Sequence, residues 1–367
     1  VDGASGSQIP LFRRIPGLAG KAARIPFGSY PTPVERLRIG APGGEGMPED
    51  LEVWVKRDDL TGEEYGGNKV RKLEFLLADA RARDAGRVIT AGALGSHHAL
   101  ATAVYGRRVG LPVTLVLSPQ RPTEHVREVL LADHALGAEL RLVRRMELIP
   151  WGLLKERFRL WRKRPYTIRP GGSDALGTLG YVNAALELLD QVEAGVLPMP
   201  RNVHVACGTM GTAGGLALGF ALGGARVRIH AIRVVSPLVT NRRGLGRLLR
   251  STAAVLESGG EPDPPLEAAL RSIRLRHDQI GDGYGKPTDA GSRAGERMAS
   301  AGFPLDPTYT AKAAAGLLAS LEEGEAGPHL YWHTLSHGMP PTPSPDPKEL
   351  PKAFRPFFED FEEEKRP

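Results

Sequence analysis

Three short stretches of this 367-residue chain combine residue types that can do chemistry. In Gly66-Gly67-Asn68-Lys69-Val70-Arg71-Lys72-Leu73-Glu74 a lysine follows a pair of glycines. Two glycines permit a tight turn and a close backbone approach. A lysine just past such a turn, at a helix start, feels the positive end of the helix dipole, and burial there favours its neutral form. A neutral amine is what a Schiff-base lysine needs. Gly92-Ala93-Leu94-Gly95-Ser96-His97-His98 lies between a predicted strand and a predicted helix, where N–H groups and the Ser96 hydroxyl can hold a carboxylate. Gly208-Thr209-Met210-Gly211-Thr212-Ala213-Gly214-Gly215 has the same setting, and its N–H groups, threonine hydroxyls and helix dipole suit a phosphate. It is not GxGxxG, and it lacks the GK[ST] of a P-loop. Tyr284 stands in Asp282-Gly283-Tyr284-Gly285-Lys286-Pro287, and Tyr309 and Thr310 in Leu305-Asp306-Pro307-Thr308-Tyr309-Thr310-Ala311-Lys312.

Each stretch also has a plainer reading. Lys69 suits a surface position at a helix start, Ser96 an N-cap, the Gly208 stretch a strand–helix turn, and the tyrosines packed aromatics. Adjacent histidines point in different directions on a helix, and no third ligand stands at metal-binding spacing. His97 and His98 therefore predict no metal site.

Elements placed by hydrophobic period must position these groups. A strand is expected over 51–56, a turn-rich loop over 58–68 and a helix over 69–84, with Val70, Leu73, Leu76 and Leu77 apolar. Strands over 87–90, 113–117 and 139–143 then alternate with helices over 97–109 and 123–136, the second capped by Thr123. Such alternation predicts a parallel sheet with right-handed crossovers. A helix over 179–193, a Pro-containing connector over 197–200, a strand over 202–207, a turn and helix over 208–222 and a strand over 226–234 follow. Helices are expected to dominate 240–322, before a late strand at 329–333, a Pro-rich surface loop at 339–351 and an acidic terminal helix at 354–365. Residues 1–50 read as irregular, with Pro26, Pro31, Pro33, Pro42 and Pro48.

Bulk properties narrow the classes. At 41% hydrophobic and 25% charged, the composition is that of a globular protein of two lobes. No run approaches the roughly 20 apolar residues of a membrane helix, and no charged region precedes an apolar core at the start, so neither a membrane partner nor a signal peptide is expected. The single cysteine, Cys207, excludes an internal disulfide and fits a reducing, cytoplasmic compartment. The surplus of 48 basic over 42 acidic residues is mild, with a local arginine cluster at 157–169. It predicts no nucleic-acid partner, and suits a small anionic substrate.

The order of lysine turn, anion loop, phosphate loop and tyrosines resembles the 1-aminocyclopropane-1-carboxylate (ACC) deaminase/D-cysteine desulfhydrase family of pyridoxal 5'-phosphate enzymes, of the tryptophan-synthase-β fold type. The likeness runs from Pro31-Thr32-Pro33 to about His333 and is densest from Lys56-Arg57-Asp58-Asp59 through Glu74. It recurs at Ser96, at Leu176-Gly177-Thr178-Leu179-Gly180-Tyr181, at the Gly208 loop and over Asp306 to Lys312. The resemblance implies an α/β protein of PLP fold type II. A large cofactor-binding domain, 1–71 and 176–367, would be interrupted by a smaller parallel α/β domain at 72–175. It implies that Lys69 carries the cofactor as a Schiff base and moves the substrate Cα proton. Ser96 would bind the substrate carboxylate, with His97 and His98 beside it. Asn68, His97, Gly208, Thr209, Met210, Gly211, Thr212 and Thr310 would hold the cofactor, Thr310 facing the pyridine nitrogen. Tyr284 and Tyr309 match the family's active-site tyrosines, and a homodimer is implied.

ACC deaminases typically carry glutamate where Thr310 stands. An uncharged threonine is compatible with a neutral ring, a weaker electron sink that suffices when a good leaving group departs from Cβ. A desulfhydrase-like β-elimination of D-cysteine, giving a 2-oxo acid and ammonia, is therefore the main expectation. Cyclopropane opening, β-replacement and a non-catalytic amino-acid binder remain alternatives. Three departures bear on the substrate, one of them the Pro-rich tail, which extends beyond the family core. His97 stands where relatives usually carry asparagine, and Leu335-Ser336-His337-Gly338-Met339-Pro340 replaces a Gly-Gly-Ala-Pro stretch.

Overall fold

A computed structural model describes residues 9–38, 52–343 and 345–358. A short helix α1 (Pro10–Arg14) and the strands β1 (Val34–Arg36) and β2 (Val53–Arg57) lead to α2 (Lys69–Ala82). Then come β3 (Arg87–Ala93), α3 (His97–Arg108), β4 (Val113–Ser118), α4 (Glu124–Ala135), β5 (Glu139–Leu142), α5 (Ile149–Arg159) and β6 (Pro165–Thr167). They are followed by α6 (Ala175–Glu193), β7 (Asn202–Cys207), α7 (Gly211–Leu222), β8 (Arg228–Arg233) and α8 (Arg242–Ser258). The last regular elements are α9 (Leu266–Ser272), β9 (Ile273–Arg276), α10 (Asp289–Ser300), α11 (Thr310–Glu322) and β10 (His329–His333).

The described residues of 1–75 and 173–337 form one compact unit, and those of 76–172 and 338–367 a second. The tail thus groups with the second unit, whereas the sequence reading placed it in the larger domain. Arg127 on α4 holds it there, its Nε donating to the Phe357 carbonyl at 2.9 Å.

In the first unit six strands run in the order β1-β2-β10-β7-β8-β9. All pairs are parallel except β1–β2. Side chains alternate across this sheet. Leu330, Trp332, Val203, Val205, Ile229 and Ala231 enter one core with residues of α6 and α7, while Tyr331, Ala206 and Ile232 enter another with residues of α10 and α11. The late strand β10 inserts between β2 and β7, pairing His329 with both Val53 and Asn202. The turns that follow β2, β10 and β7 therefore gather at one carboxyl edge of the sheet, where ligands of open α/β sheets bind. In the second unit four parallel strands run β5-β4-β3-β6.

Several expectations shift. β3 extends to Ala93 because it pairs with β4 as far as Ala93–Ser118. The long helix starts at Ala175 rather than 179, with the Asp174 side chain accepting from Gly177 N at 2.9 Å. The alternating Ile-Arg-Leu-Arg of β9 is a strand inside a stretch read as helical, paired with β8. α1 and β1 lie in the segment read as irregular. Lys352–Phe354 is a 3-10 turn, and 359–365 of the expected terminal helix lies outside the described residues, as does position 51. No helix among the described residues is long and apolar enough to cross a membrane.

Candidate active site

The turn before Lys69 requires both of its glycines. A Cβ on Gly66 would lie 2.0 Å from the Asp59 carbonyl oxygen, and Gly67 has φ +85° with Thr334 O 2.8 Å from where a Cβ would sit. The turn is tied to two strand ends. Gly67 N donates to Asp58 O at 2.9 Å, Asn68 N to Thr334 O at 3.1 Å and Gly66 N to Ser336 Oγ at 2.9 Å. The replaced 335–340 stretch thus begins against the Lys69 turn itself.

Beneath the turn lies a buried ionic cluster. Arg71, in the first turn of α2, bonds Asp58 at 2.7 Å and Glu187 at 2.8 Å, and Lys56 bonds Glu187 at 2.7 Å. Tyr181 and Trp332 both donate to Asp58 Oδ2 at 2.7 Å. Burial by itself would raise the Glu187 pKa, but Arg71 and Lys56 hold it down at about 2. Removing one member of such a cluster strands a buried charge and costs about 3–5 kcal/mol. The start of α2, and with it Lys69, is firmly placed.

The Lys69 side chain is half-buried, and desolvation of its amine lowers the pKa to about 8 against the opposing pull of Asp306. Its Nζ donates to Asn68 Oδ1 at 2.5 Å, and Asn68 Nδ2 donates to Thr212 Oγ1 at 3.1 Å. Ser173 Oγ accepts from Gly211 N and from Lys72 Nζ, both at 3.2 Å, and pairs with Thr209 Oγ1 at 2.7 Å. Met210, at the N-cap of α7, has φ 69° and gives no side-chain cap, so the Gly211 N–H turns to a group from another element. Lys69, Lys72, three hydroxyls and the start of α7 thus converge. Sequence reasoning missed Lys72 and Ser173. Lys72 had a signal, since it sits three residues after Lys69 on the same helix face. Ser173 had none.

The two tyrosines meet, their hydroxyls 2.8 Å apart, and burial raises both pKa values. The Tyr309 ring lies 3.6 Å from where a Cβ on Gly208 would sit. Thr310 Oγ1 donates to Asp306 Oδ2 at 2.6 Å and accepts from Asp306 N at 2.8 Å. Asp306 also accepts from the N–H groups of Thr308, Tyr309 and Thr310 at the start of α11. Lys312 Nζ donates to the carbonyls of Ile280 at 2.8 Å and Gly283 at 3.1 Å, pinning the turn that carries Tyr284. Asp306 and Lys312 stand inside the quoted motif, yet their roles depend on this packing.

Ser96 and His97 belong to the second unit. Ser96 is the N-cap of α3, its Oγ accepting from Ala99 N at 3.3 Å. Gly92 leaves it room, since a Cβ there would lie 2.3 Å from Ser96 Oγ. The half-buried His97 ring leans on His125 with centroids 4.9 Å apart. His98 turns inward. Thr90 gives its proton to Ile168 O at 3.0 Å, so His98 Nε2, 2.9 Å away, donates to Thr90. That is the place of a core histidine, not of the substrate contact expected from the sequence. Among the described residues no three His, Cys, Asp or Glu side chains cluster to hold a metal.

Residues 25–334 match the pattern of the pyridoxal-phosphate dependent enzymes. The chain belongs to that family. It is 35% identical over 300 residues to the mitochondrial bifunctional D-cysteine desulfhydrase/1-aminocyclopropane-1-carboxylate deaminase of Arabidopsis thaliana, covering 78% of this chain and 71% of that one. It is 34% identical over 330 residues to nocardicin C-9' epimerase of Nocardia uniformis subsp. tsuyamanensis, covering 86% of this chain and 94% of that one. A crystal structure of an ACC deaminase homologue superposes with a TM-score of 0.72 at 31% identity, covering 89% of this chain and 94% of that one. The family cofactor presents an aldehyde and a phosphate. A desolvated amine with a pKa near 8 suits the first, and the lysine, hydroxyls and N–H groups at the start of α7 suit the second.

Proposed function

We propose that this enzyme is a lyase that removes the β-substituent of a small amino acid, D-cysteine foremost, and yields a 2-oxo acid and ammonia. The observation that carries the reading is the Lys69 amine, desolvated, lowered to about 8 and hydrogen-bonded through Asn68 to Thr212 on α7. The names of two of the similar proteins support the substrate class. Lys69 is the attachment point of the cofactor. Bound pyridoxal phosphate supplies the electron sink that makes a substrate Cα proton acidic. Lys72, Ser173, Thr209, Thr212 and the N–H groups that open α7 hold the phosphate, with Gly208, Met210 and Gly211 shaping the loop. Ser96 and the start of α3 hold the substrate carboxylate.

Lys69, neutral in a useful fraction near pH 8, takes the Cα proton. Tyr284 and Tyr309, kept protonated by burial, place a hydroxyl proton for the departing sulfur. The C–S bond breaks, the sulfur takes the proton, and the released enamine reacts with water to give pyruvate and ammonia. Thr310 commits its proton to Asp306 and so stays a neutral neighbour, which suits a thiol leaving group better than cyclopropane opening. We also propose a homodimer, the assembly implied by the family resemblance.

The test is product analysis of cofactor-loaded protein with D-cysteine, 3-chloroalanine and ACC. The expected result is 2-oxo acid from the first two in excess over ACC. No 2-oxo acid from any of the three sinks the lyase reading. Exchange of the Cα proton with inversion and no 2-oxo acid replaces it with an epimerase.

A further inference from the structure

The mild surplus of positive charge is not spread over the molecule. Residues 141–169 hold ten Lys and Arg against two Glu, while the rest of the chain carries 38 basic and 40 acidic residues. The centre of this segment is α5. At roughly 100° per residue, Ile149, Leu153, Glu156 and Leu160 centre on one face of the helix, and Trp151, Leu154 and Phe158 on the opposite one. The first face packs on the second unit's sheet, and Gly152 lets it approach, since a Cβ there would meet Val116 at 2.7 Å. The second face is open to solvent. Trp151 and Phe158 are each 69% exposed, and Trp161 in the next turn 65%. Of eleven exposed large apolar side chains among the described residues, five lie in this segment, with Met146 and Leu154 the others. The arginine cluster interleaves with aromatics.

The local carboxylates are already engaged. Glu139 and Glu156 pair with Arg87, Arg141 and Arg159. Among the described residues no ion pair involves Lys155, Arg157, Arg162 or Lys163. A solvated apolar stripe edged by four such cations calls for an acidic, aromatic partner. The chain itself contains one. Residues 359–364 are Glu-Asp-Phe-Glu-Glu-Glu, directly after Phe357 and Phe358.

We infer that this acidic segment of one copy docks on the Trp151–Phe158–Trp161 face of a second copy. Its own copy is out of reach. Right-handed crossovers put α3 and α4 on one face of the four-stranded sheet, and the return from β5 across the sheet to β6 puts α5 on the other. Phe357 is held on α4 by Arg127. Six residues span at most about 20 Å, whereas the outer side of α5 lies roughly 25 Å away through two helix diameters and the sheet. Packing α5 on α5 of a second copy would oppose two strongly basic surfaces. A reciprocal exchange of tails closes as a two-fold dimer with two equivalent contacts.

The inference gives the proposed homodimer a surface and is independent of the reaction. Sedimentation velocity is run on the full chain, on a chain ending at Phe358 and on Trp151→Ala/Phe158→Ala. The full chain is expected to be dimeric, with association weakened about tenfold or more by either change and by high salt. Glu362→Lys/Glu363→Lys/Glu364→Lys weakens it likewise, and combination with Arg157→Glu/Arg162→Glu/Lys163→Glu restores it. A synthetic peptide of residues 355–367 shifts the tryptophan fluorescence of the truncated chain. A truncated chain that dimerises as tightly as the full one overturns the contact and leaves the homodimer standing. A monomeric full chain overturns both. Anionic vesicles or single-stranded DNA that shift the fluorescence where the peptide does not assign the face to a membrane or nucleic acid instead.

Discussion

Two helix starts in this molecule follow parallel strands through glycine-rich turns, and they end differently. At α3 the N-cap serine satisfies its own helix, Ser96 accepting from Ala99 N. At α7 the N-cap is Met210 in a left-handed conformation, and the hydroxyl that meets Gly211 N comes from Ser173, thirty-eight residues earlier in the chain. Lys72 joins that hydroxyl as a buried amine, its pKa pushed well down by burial and by Lys69. A self-capped start offers a neutral donor hydroxyl to a singly charged carboxylate. A start completed from elsewhere, with a lysine beside it, suits a phosphate. In the proposed reading the same local motif makes two kinds of anion site, and the difference lies in what distant chain segments bring.

The comparison can be broken by substitution. The largest effect is expected at Lys69, the proposed attachment point of the cofactor. Lys69→Ala should lower kcat about a thousandfold or more and abolish borohydride-stable cofactor attachment, read by mass spectrometry. Lys72→Met should next weaken pyridoxal phosphate binding about 30- to 100-fold in a cofactor titration, with kcat at saturating cofactor nearly kept. Equal cofactor affinity in this variant would leave α7 no different from α3. Ser96→Ala should do the converse. Substrate KM rises about tenfold, cofactor affinity is unchanged, and the lost cap costs about 1 kcal/mol of stability, seen as a lower Tm.

Two smaller effects sharpen the picture. Lys312→Met should free the turn carrying Tyr284 and reduce kcat several-fold without moving cofactor affinity, while Lys312→Arg restores part of it. The pH dependence follows from Lys69. Burial lowers its pKa to about 8, so the neutral, nucleophilic form grows as pH rises through that value. The rate of cofactor capture by apoprotein should increase about fivefold from pH 7 to pH 8 and level off above pH 9. A flat profile would mean that desolvation does not lower the Lys69 pKa to this range.

Much of this was legible before any coordinates. The strands at 202–207 and 329–333, the Thr123 cap and the helix start at Lys69 follow from period, capping chemistry and the Gly-Gly turn. β9 was hidden because a four-residue strand of alternating arginine looks like solvated helix until β8 pairs with it. The long helix was read late because Gly177 and Gly180 interrupt its first turns, yet a Cβ on Gly180 would meet Arg71 O at 2.2 Å, so close helix packing demands that glycine. His98 misled because adjacency to Ser96 suggested the site, while the helix turned it toward Thr90.

Sequence alone determined the lysine turn, the two strand–turn–helix loops, their order and hence the family, because each depends on contacts within a few residues. Only the tertiary structure decided which side chains share a site. Insertion of β10 between β2 and β7 brings the 334–336 stretch against the Lys69 turn, and packing sets Ser173 against Lys72 from 101 residues away. Packing also hands the Thr310 proton to Asp306 and leaves one apolar face of α5 in solvent. The physical reason is the same each time: spacing along the chain sets where a side chain points on its own element, and sheet order and burial set what it meets.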